Sequence, residues 1–337
     1  MNETMTRCIR VPKVKAEDVR GLLTSSSLLN RDAKIKADGD HVLLPILSDN
    51  FEDYDVIDAD LKPADTKERD YRNIVSIPYE LRDALPNSYD IIGNIAVVKF
   101  PDELIPYANA IGDAMLRVSS SLRAVLMDTG VKGDFRIRDV RIIAGSGTSE
   151  TIHREFGVTM SVDPVKAYFN PRLSTERMRI ASMVKDGEIV IDMFAGVAPF
   201  PLVIAKYAKP SVIYSIDMNK DAVDLMHRNI KMNKICSIVP ICGDSGEVIK
   251  ELPMADRIIM NLPQTADSFL PYTISRLKDG GTVHMYKIMD RGSSEGTMSK
   301  LVDEMHSLGH RIRVSRMAEL KTYSPTMSVY VADIMNG

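Results

Sequence analysis

From residue 188 to the end of the chain, short apolar runs alternate with amphipathic stretches. The runs are "EIVIDMF" (188–194), "SVIYSID" (211–217), "SIVPICGD" (237–244), "DRIIMNLP" (256–263) and "GTVHMYKI" (281–288). Between the second and third, Ala222, Met226 and Ile230 recur at four-residue spacing behind Asn219, which is placed to cap a helix. Strand and helix in alternation predict a mostly parallel sheet wound on both faces, with ligands beyond the carboxyl ends of the strands. The last runs, "HRIRVSRM" and "MSVYVADIM", have only a short loop between them and predict an antiparallel hairpin on that sheet.

The N-terminal half is less regular. Residues 6–11 read as a strand, 16–27 as a helix, and "KIKADGDHVLLPI" as a hairpin turning at Asp38-Gly39. An acidic stretch follows, and its second half, with Pro63 and few large apolar residues, reads as a linker. A new unit begins near Tyr71. It contains a hairpin around Gly93-Asn94, a helical stretch over 101–120, and strands at 123–128, 140–144 and 158–162. The domain plan is therefore a small module (1–62), a linker (63–70), a middle α+β domain (71–165) and a C-terminal α/β domain (166–337).

Composition narrows the class. Hydrophobic residues make up 45% and charged residues 26% of the 337, and no apolar run is long enough to span a bilayer. The first fifteen residues lack the apolar core of an export signal, so a cytoplasmic protein with no membrane association is expected. Cys8, Cys236 and Cys242 have neither disulfide-framework nor ligand spacing, so no structural metal is expected. The net charge of -3 is unevenly spread: residues 48–70 hold nine acids against three bases, whereas 130–180 hold nine bases, seven of them Arg, against six acids. Arg presents a planar fork suited to phosphates and base edges, although such a run can equally be a solvated, salt-bridged face.

The turn in "DMFAGVAPFPLVIAK" (192–206) bears on the ligand. A dinucleotide turn needs a second glycine for close approach of a pyrophosphate and free N–H groups on the helix behind it. Here Gly196 stands alone, Ala198 carries a Cβ, and Pro199 removes an N–H. A ligand without phosphate, such as S-adenosylmethionine, fits better, and Asp192, Gly196, Asp217 and Asp244 at successive strand ends suit a nucleoside. An Asp at a strand end is also an ordinary helix cap. Asn261 and Pro263 close the fourth strand, where a rigid amide can hold a planar nitrogen-containing ring. "YFNPRLSTERMRIA" (168–181) places Glu176, Arg177 and Arg179 on a helix after Pro171, with Ser174 as a cap, which could be no more than a charged face.

Several long motifs, "YFNPRLSTER", "DMFAGVAPF", "HRNIKMNKI", "DRIIMNLPQTADSFL", "HREFGVTMSVD" and "LLNRDAKIKADGDHVLLPI", together resemble the archaeal and eukaryotic tRNA (guanine-37-N1) methyltransferase family, Trm5, over nearly the whole chain. The family usually has Gly where Ala198 stands, and Pro201 is a second departure. The resemblance implies a class I S-adenosylmethionine-dependent methyltransferase fold, Rossmann-like and mostly parallel with an antiparallel hairpin, behind two smaller α/β domains. It implies Glu176 as the base that takes the N1 proton, Arg136 as the group that stabilises O6 (with Arg138 two residues on), Tyr168 stacked on the guanine, Asn261 and Pro263 at its edge, and Arg172 on the cluster or a phosphate. It also implies a cofactor site of Asp192, Phe194, Ala195, Gly196, Asp217, Met218, Asp244, Asn261 and Pro263, no metal in the transfer, a monomer, and tRNA contacts at the anticodon stem-loop and the elbow. Other readings are a sister enzyme of the wyosine pathway, moving an aminocarboxypropyl group or methylating a wyosine intermediate, a cofactor-dead tRNA-binding protein and, least favoured by the missing glycines, an NAD dehydrogenase.

Overall fold

The computed structural model describes residues 4–64, 70–132 and 137–337. It divides into two compact units, Met1–Ile74 and Val75–Gly337. No described helix is long and apolar enough to cross a membrane.

In the first unit β1 (Thr4–Pro12) is followed by α1 (Ala16–Ser25), β2 (Lys36–Asp38), β3 (His41–Pro45), β4 (Val56–Leu61) and a last turn of helix, α2 (Tyr71–Ile74). The sheet order is β2-β3-β1-β4, antiparallel throughout. The β2–β3 turn pairs Asp38 with His41 across Gly39, whose φ of +59° is the left-handed conformation that glycine adopts freely. Val19 and Leu23 of α1 pack on Ile9, Val11, Leu44 and Ile46. The acidic stretch contains a strand that the pattern did not announce. β4 buries only Leu61 fully and points Asp58 and Asp60 at solvent, a charged edge strand with little apolar alternation to read.

The second unit opens with β5 (Asp90–Ile92), β6 (Ile95–Lys99), α3 (Ala108–Val118), β7 (Ala124–Lys132) and β8 (Ile137–Gly145), in the order β5-β6-β7-β8 with β6 and β7 parallel. The expected helix over 101–120 is split. A 3-10 stretch, Asp102–Tyr107, carries Pro106, whose ring and missing N–H are kept out of the α-helix that begins at Ala108. β9 (Thr151–Glu155), unexpected because "TIHRE" has a single large apolar residue, pairs with β10 (Val158–Val162). α6 (Lys220–Asn233) lies along β10 and bonds to it through side chains. The Asn229 amide accepts from Ser161 N–H (2.7 Å) and donates to Ser161 O (3.1 Å); Asn233 does the same with Thr159 (3.0 and 2.6 Å).

The remaining elements are α4 (Ser174–Met183), β11 (Ile189–Asp192), α5 (Pro199–Tyr207), β12 (Val212–Asp217), β13 (Ile238–Cys242), α7 (Ser245–Glu251), β14 (Ala255–Met260), α8 (Ala266–Ser275), β15 (Leu277–Asp290), α9 (Ser294–Ser307), β16 (Ile312–Thr322) and β17 (Met327–Asn336). They form one seven-stranded sheet, β13-β12-β11-β14-β15-β17-β16. The first five strands run parallel, and the final hairpin inserts so that β17 pairs antiparallel to both β15 and β16. α5, with Phe200, Leu202, Val203 and Ile204 all buried, packs with α6 on one face; Ile249, Leu270, Ile274, Met298 and Leu301 from α7, α8 and α9 cover the other. Each such side chain contributes about 1.5–3 kcal/mol on burial. Strand order reverses between β11 and β14, so a crevice opens at their carboxyl ends.

Candidate active site

That crevice is a cavity of about 220 Å³. Its floor is the turn after β11. Gly196 takes φ +55°, and its N–H donates to Asp217 Oδ2 at 2.7 Å, while Asp217 Oδ1 accepts from Asn219 N–H at 2.9 Å. Burial raises the Asp217 pKa, against the pull of these two N–H groups. Ala198 adopts φ +68°, a left-handed conformation that costs a residue with a Cβ about 1 kcal/mol. Pro199 and Pro201 both lie in the first turn of α5, where no intrahelical N–H bond is due, so neither breaks the helix. Few N–H groups therefore face a ligand, and the charged groups at the floor are carboxylates. That donor set is wrong for a pyrophosphate and right for hydroxyls and amines, as S-adenosylmethionine presents.

Phe194, Ala195, Gly196, Asp217, Met218 and Asp244 all line the cavity, as do Tyr168, Asn261 and Pro263. Phe194 meets Phe269 edge-on, centroids 5.1 Å apart. Asp244 also does what its position offers any strand-end Asp: it caps α7 by accepting from Gly246 N–H (2.7 Å). The capping role expected of Ser174 falls instead to Asn170, whose Oδ1 accepts from Arg172 N–H (3.0 Å) to start a 3-10 turn; Ser174 is already helical. Asn219 caps α6 as its spacing implied.

Three of the described residues stand apart from the cavity. Asp192 is buried beneath the turn and does not line it; Oδ1 accepts from Phe194 N–H (3.3 Å) and Oδ2 has no partner. Burial pushes its pKa up to about 8, the Phe194 N–H opposing and Asp217 adding to the rise. A folded-state pKa above the unfolded one stabilises the fold fully below about pH 4, and this contribution is lost as pH rises through about 8. Asp192→Asn is accordingly expected to unfold at higher urea than the parent at pH 9, the gap shrinking towards pH 4. Arg172 bonds Asp90 (2.6 Å) beside a separate groove that includes Lys99 and Tyr89. Arg136 lies outside the described residues, as does the side chain of Arg138.

Glu176 is the third. It is buried rather than on a charged face: Oε1 and Oε2 accept from the Arg179 fork (2.7 and 2.8 Å), and Oε1 also accepts from the Tyr286 hydroxyl (2.8 Å). The chain of contacts runs on. Arg179 donates to Asp333 (2.8 Å), Asp333 contacts His284 Nδ1 (2.6 Å), His284 Nε2 contacts Arg257 (2.7 Å), and Arg257 bonds Glu188 (2.9 Å). Burial would raise Asp333, but His284 and Arg179 outweigh it and bring its pKa down to about 2. Burial keeps His284 below its ordinary value despite Asp333.

Sequence reasoning passed over Tyr286, which lines the cavity while fully buried. The signal was available: His284 and Tyr286, two apart in β15 and separated by Met285, share one face. Lys321 and Tyr323 also reach the cavity, but only because the final hairpin folds over it, which no local pattern encodes.

Comparison with known proteins gives matches along the chain. Residues 151–314 match the TRM5/TYW2 methyltransferase domain, 71–148 the TYW2 N-terminal domain and 8–64 the tRNA methyltransferase 5 N-terminal domain. A tRNA (guanine(37)-N(1))-methyltransferase Trm5b of Pyrococcus abyssi is 40% identical over 95% of this chain and 96% of its own. The crystal structure of Trm5b from P. abyssi superposes with a TM-score of 0.80 at 39% identity, covering 99% and 100% of the two chains. The complex of aTrm5 with tRNALeu superposes with a TM-score of 0.76 at 30% identity, covering 98% and 99%.

Proposed function

The chain belongs to the TRM5/TYW2 methyltransferase family, and on that premise we propose that its cavity carries out methylation of N1 of the guanine at tRNA position 37. It is a tRNA methyltransferase with S-adenosylmethionine as cofactor, and its partner is tRNA. When bound, S-adenosylmethionine supplies the methyl group.

The chain's own residues supply the rest. Asp217 and Asp244 accept from the ribose and adenine side of the cofactor, with Phe194, Ala195, Gly196 and Met218 as walls and Asp192 supporting the turn from below. Tyr168 at the mouth stacks on the guanine, and Asn261 with Pro263 fixes its edge. N1 of guanine carries a proton at neutral pH, and Glu176 receives it. Charge then moves to O6, where Arg136 stabilises it, a contact worth about 3 kcal/mol where water is excluded. Arg138 and Arg172 bind the RNA backbone. The module 1–62 reads tRNA at the elbow, 63–70 links it, 71–165 brings Arg136, and 166–337 holds the chemistry. A base in the anticodon loop is reached by turning it out of its stack. The enzyme works as a monomer in the cytoplasm.

The observation that carries the reading is the match of residues 8–64 to the tRNA methyltransferase 5 N-terminal domain, ahead of an intact Glu176 and Asn261. One observation favours a second reading, transfer to a wyosine-type guanosine: the likeness of residues 71–148 to the TYW2 N-terminal domain. Nucleoside mass spectrometry on unmodified G37 and A37 transcripts separates them. The expected result is N1-methylguanosine on the G37 transcript alone; an untouched G37 transcript with cofactor bound supports the second.

A further inference from the structure

We propose that the Tyr286 hydroxyl is the group through which the guanine N1 proton reaches Glu176, an inference that rests on the function given above. The carboxylate lines no part of the cavity, and both of its oxygens are engaged by Arg179. To touch a base directly Glu176 would have to leave a two-bonded fork whose guanidinium is itself tied to Asp333. Tyr286 reaches the carboxylate without breaking that fork, and as a fully buried side chain of the cavity lining it is uncovered when the base enters. Its side chain belongs to the cavity wall, its ring packs against Phe200 (centroids 5.9 Å), and its hydroxyl already donates to Glu176 Oε1 at 2.8 Å.

The direction of that bond matters. A hydroxyl that donates to a carboxylate keeps its oxygen lone pairs free to accept from an N–H on its other side. Burial, and then the charge and hydrogen bond of Glu176, hold the Tyr286 pKa well above its ordinary value, so the resting side chain is the neutral phenol that a relay requires. In the step itself the N1–H bond breaks and its electron pair stays on the guanine as the nucleophile. The proton bonds to Tyr286 Oη as the phenolic proton passes to Glu176 Oε1. Tyrosine is regenerated and Glu176 ends as a neutral carboxylic acid. Arg179, having lost one anionic partner, retains Asp333, so no buried cation is left uncompensated.

The test uses the full chain with G37 transcript. Tyr286→Phe is expected to lower the single-turnover methylation rate by roughly 100-fold or more, the range of general acid–base catalysis. Calorimetric Kd values for S-adenosylmethionine and for tRNA should stay within about threefold of the parent. Glu176→Gln should fall comparably, and the double variant should fall no further, because the two groups handle one proton. As a variant that preserves packing, fluorotyrosines placed at 286 should change the rate in the order of their hydroxyl acidity. The 19F resonance of 3-fluorotyrosine at 286 should also shift on adding Glu176→Gln without any substrate present. A Tyr286→Phe enzyme within about threefold of the parent rate, effects that multiply in the double variant, or fluorotyrosines of equal rate would each overturn the relay while leaving the function intact. A parent chain that leaves G37 unmodified overturns both.

Discussion

Glu176→Gln is expected to lower single-turnover methylation of a G37 transcript by roughly 10² to 10⁴-fold while leaving the melting temperature close to that of the parent. Glutamine matches the size of glutamate and its carbonyl oxygen can still accept from Tyr286 and Arg179 Nη2; its NH2 then faces the Arg179 Nε–H, a loss softened by the Asp333 bonds that keep the guanidinium paired. What it cannot do is hold a proton. At neutral pH the N1 lone pair is not available until that proton has gone, so the loss belongs to the chemical step and corresponds to about 3–5 kcal/mol of barrier. Quench-flow with radiolabelled cofactor reads it directly. A variant of undiminished rate would remove Glu176 from the reaction.

The largest expected change in stability is at the neighbouring residue. Arg177 is 1% exposed; its Nε and Nη2 bond both oxygens of Glu155 at 2.5 and 2.6 Å, its Nη1 donates to Asn170 O at 3.1 Å, and its guanidinium lies 5.4 Å from the Phe169 ring centroid. One side chain thus ties α4 to β9 and to the cap that starts the helix. Arg177→Ala strands the Glu155 carboxylate in the interior, with His153 3.6 Å away as its remaining ionic neighbour, at a cost of about 3–5 kcal/mol. In the parent, burial pushes Glu155 up but the bonds from His153 and Arg177 outweigh it, leaving its pKa depressed. That contribution is present above the unfolded carboxylate pKa and lost as pH falls through the folded one. The deficit of Arg177→Ala in urea unfolding should therefore narrow in acid, and Glu155→Gln should recover part of it at neutral pH.

The contrast between these adjacent residues shows where sequence reading reaches. Strand ends announce themselves, because an apolar run stops at a polar residue; Asp217, Asp244 and Asn261 were legible in that way, and all three line the cavity. Helix α4 was legible as a helix but not as a buried one. Its polar residues are inside because β9, β15 and β17 bring Glu155, Tyr286 and Asp333 to meet them, from 22, 110 and 154 residues away in sequence. Burial of charge is a long-range property, and periodicity carries no trace of it. Asp192 differs for a related reason: it closes β11 as Asp217 closes β12, yet the turn after it folds across its carboxylate, which does not line the cavity. β4 and β9 escaped notice because an edge strand or a two-stranded ribbon needs little alternation to form.

The paired asparagines of α6 have a consequence for how the chain keeps to itself. Four residues of helix rise about 6 Å and two residues of strand about 6.6 Å, so Asn229 and Asn233 fall in step with Ser161 and Thr159. Each carboxamide presents an acceptor and a donor to the same residue of β10, as an adjoining strand would. A two-stranded ribbon otherwise offers a row of unmet amides that invites strand addition and aggregation. Here a helix counterfeits the missing neighbour, and that margin of β10 is closed to intruding chains.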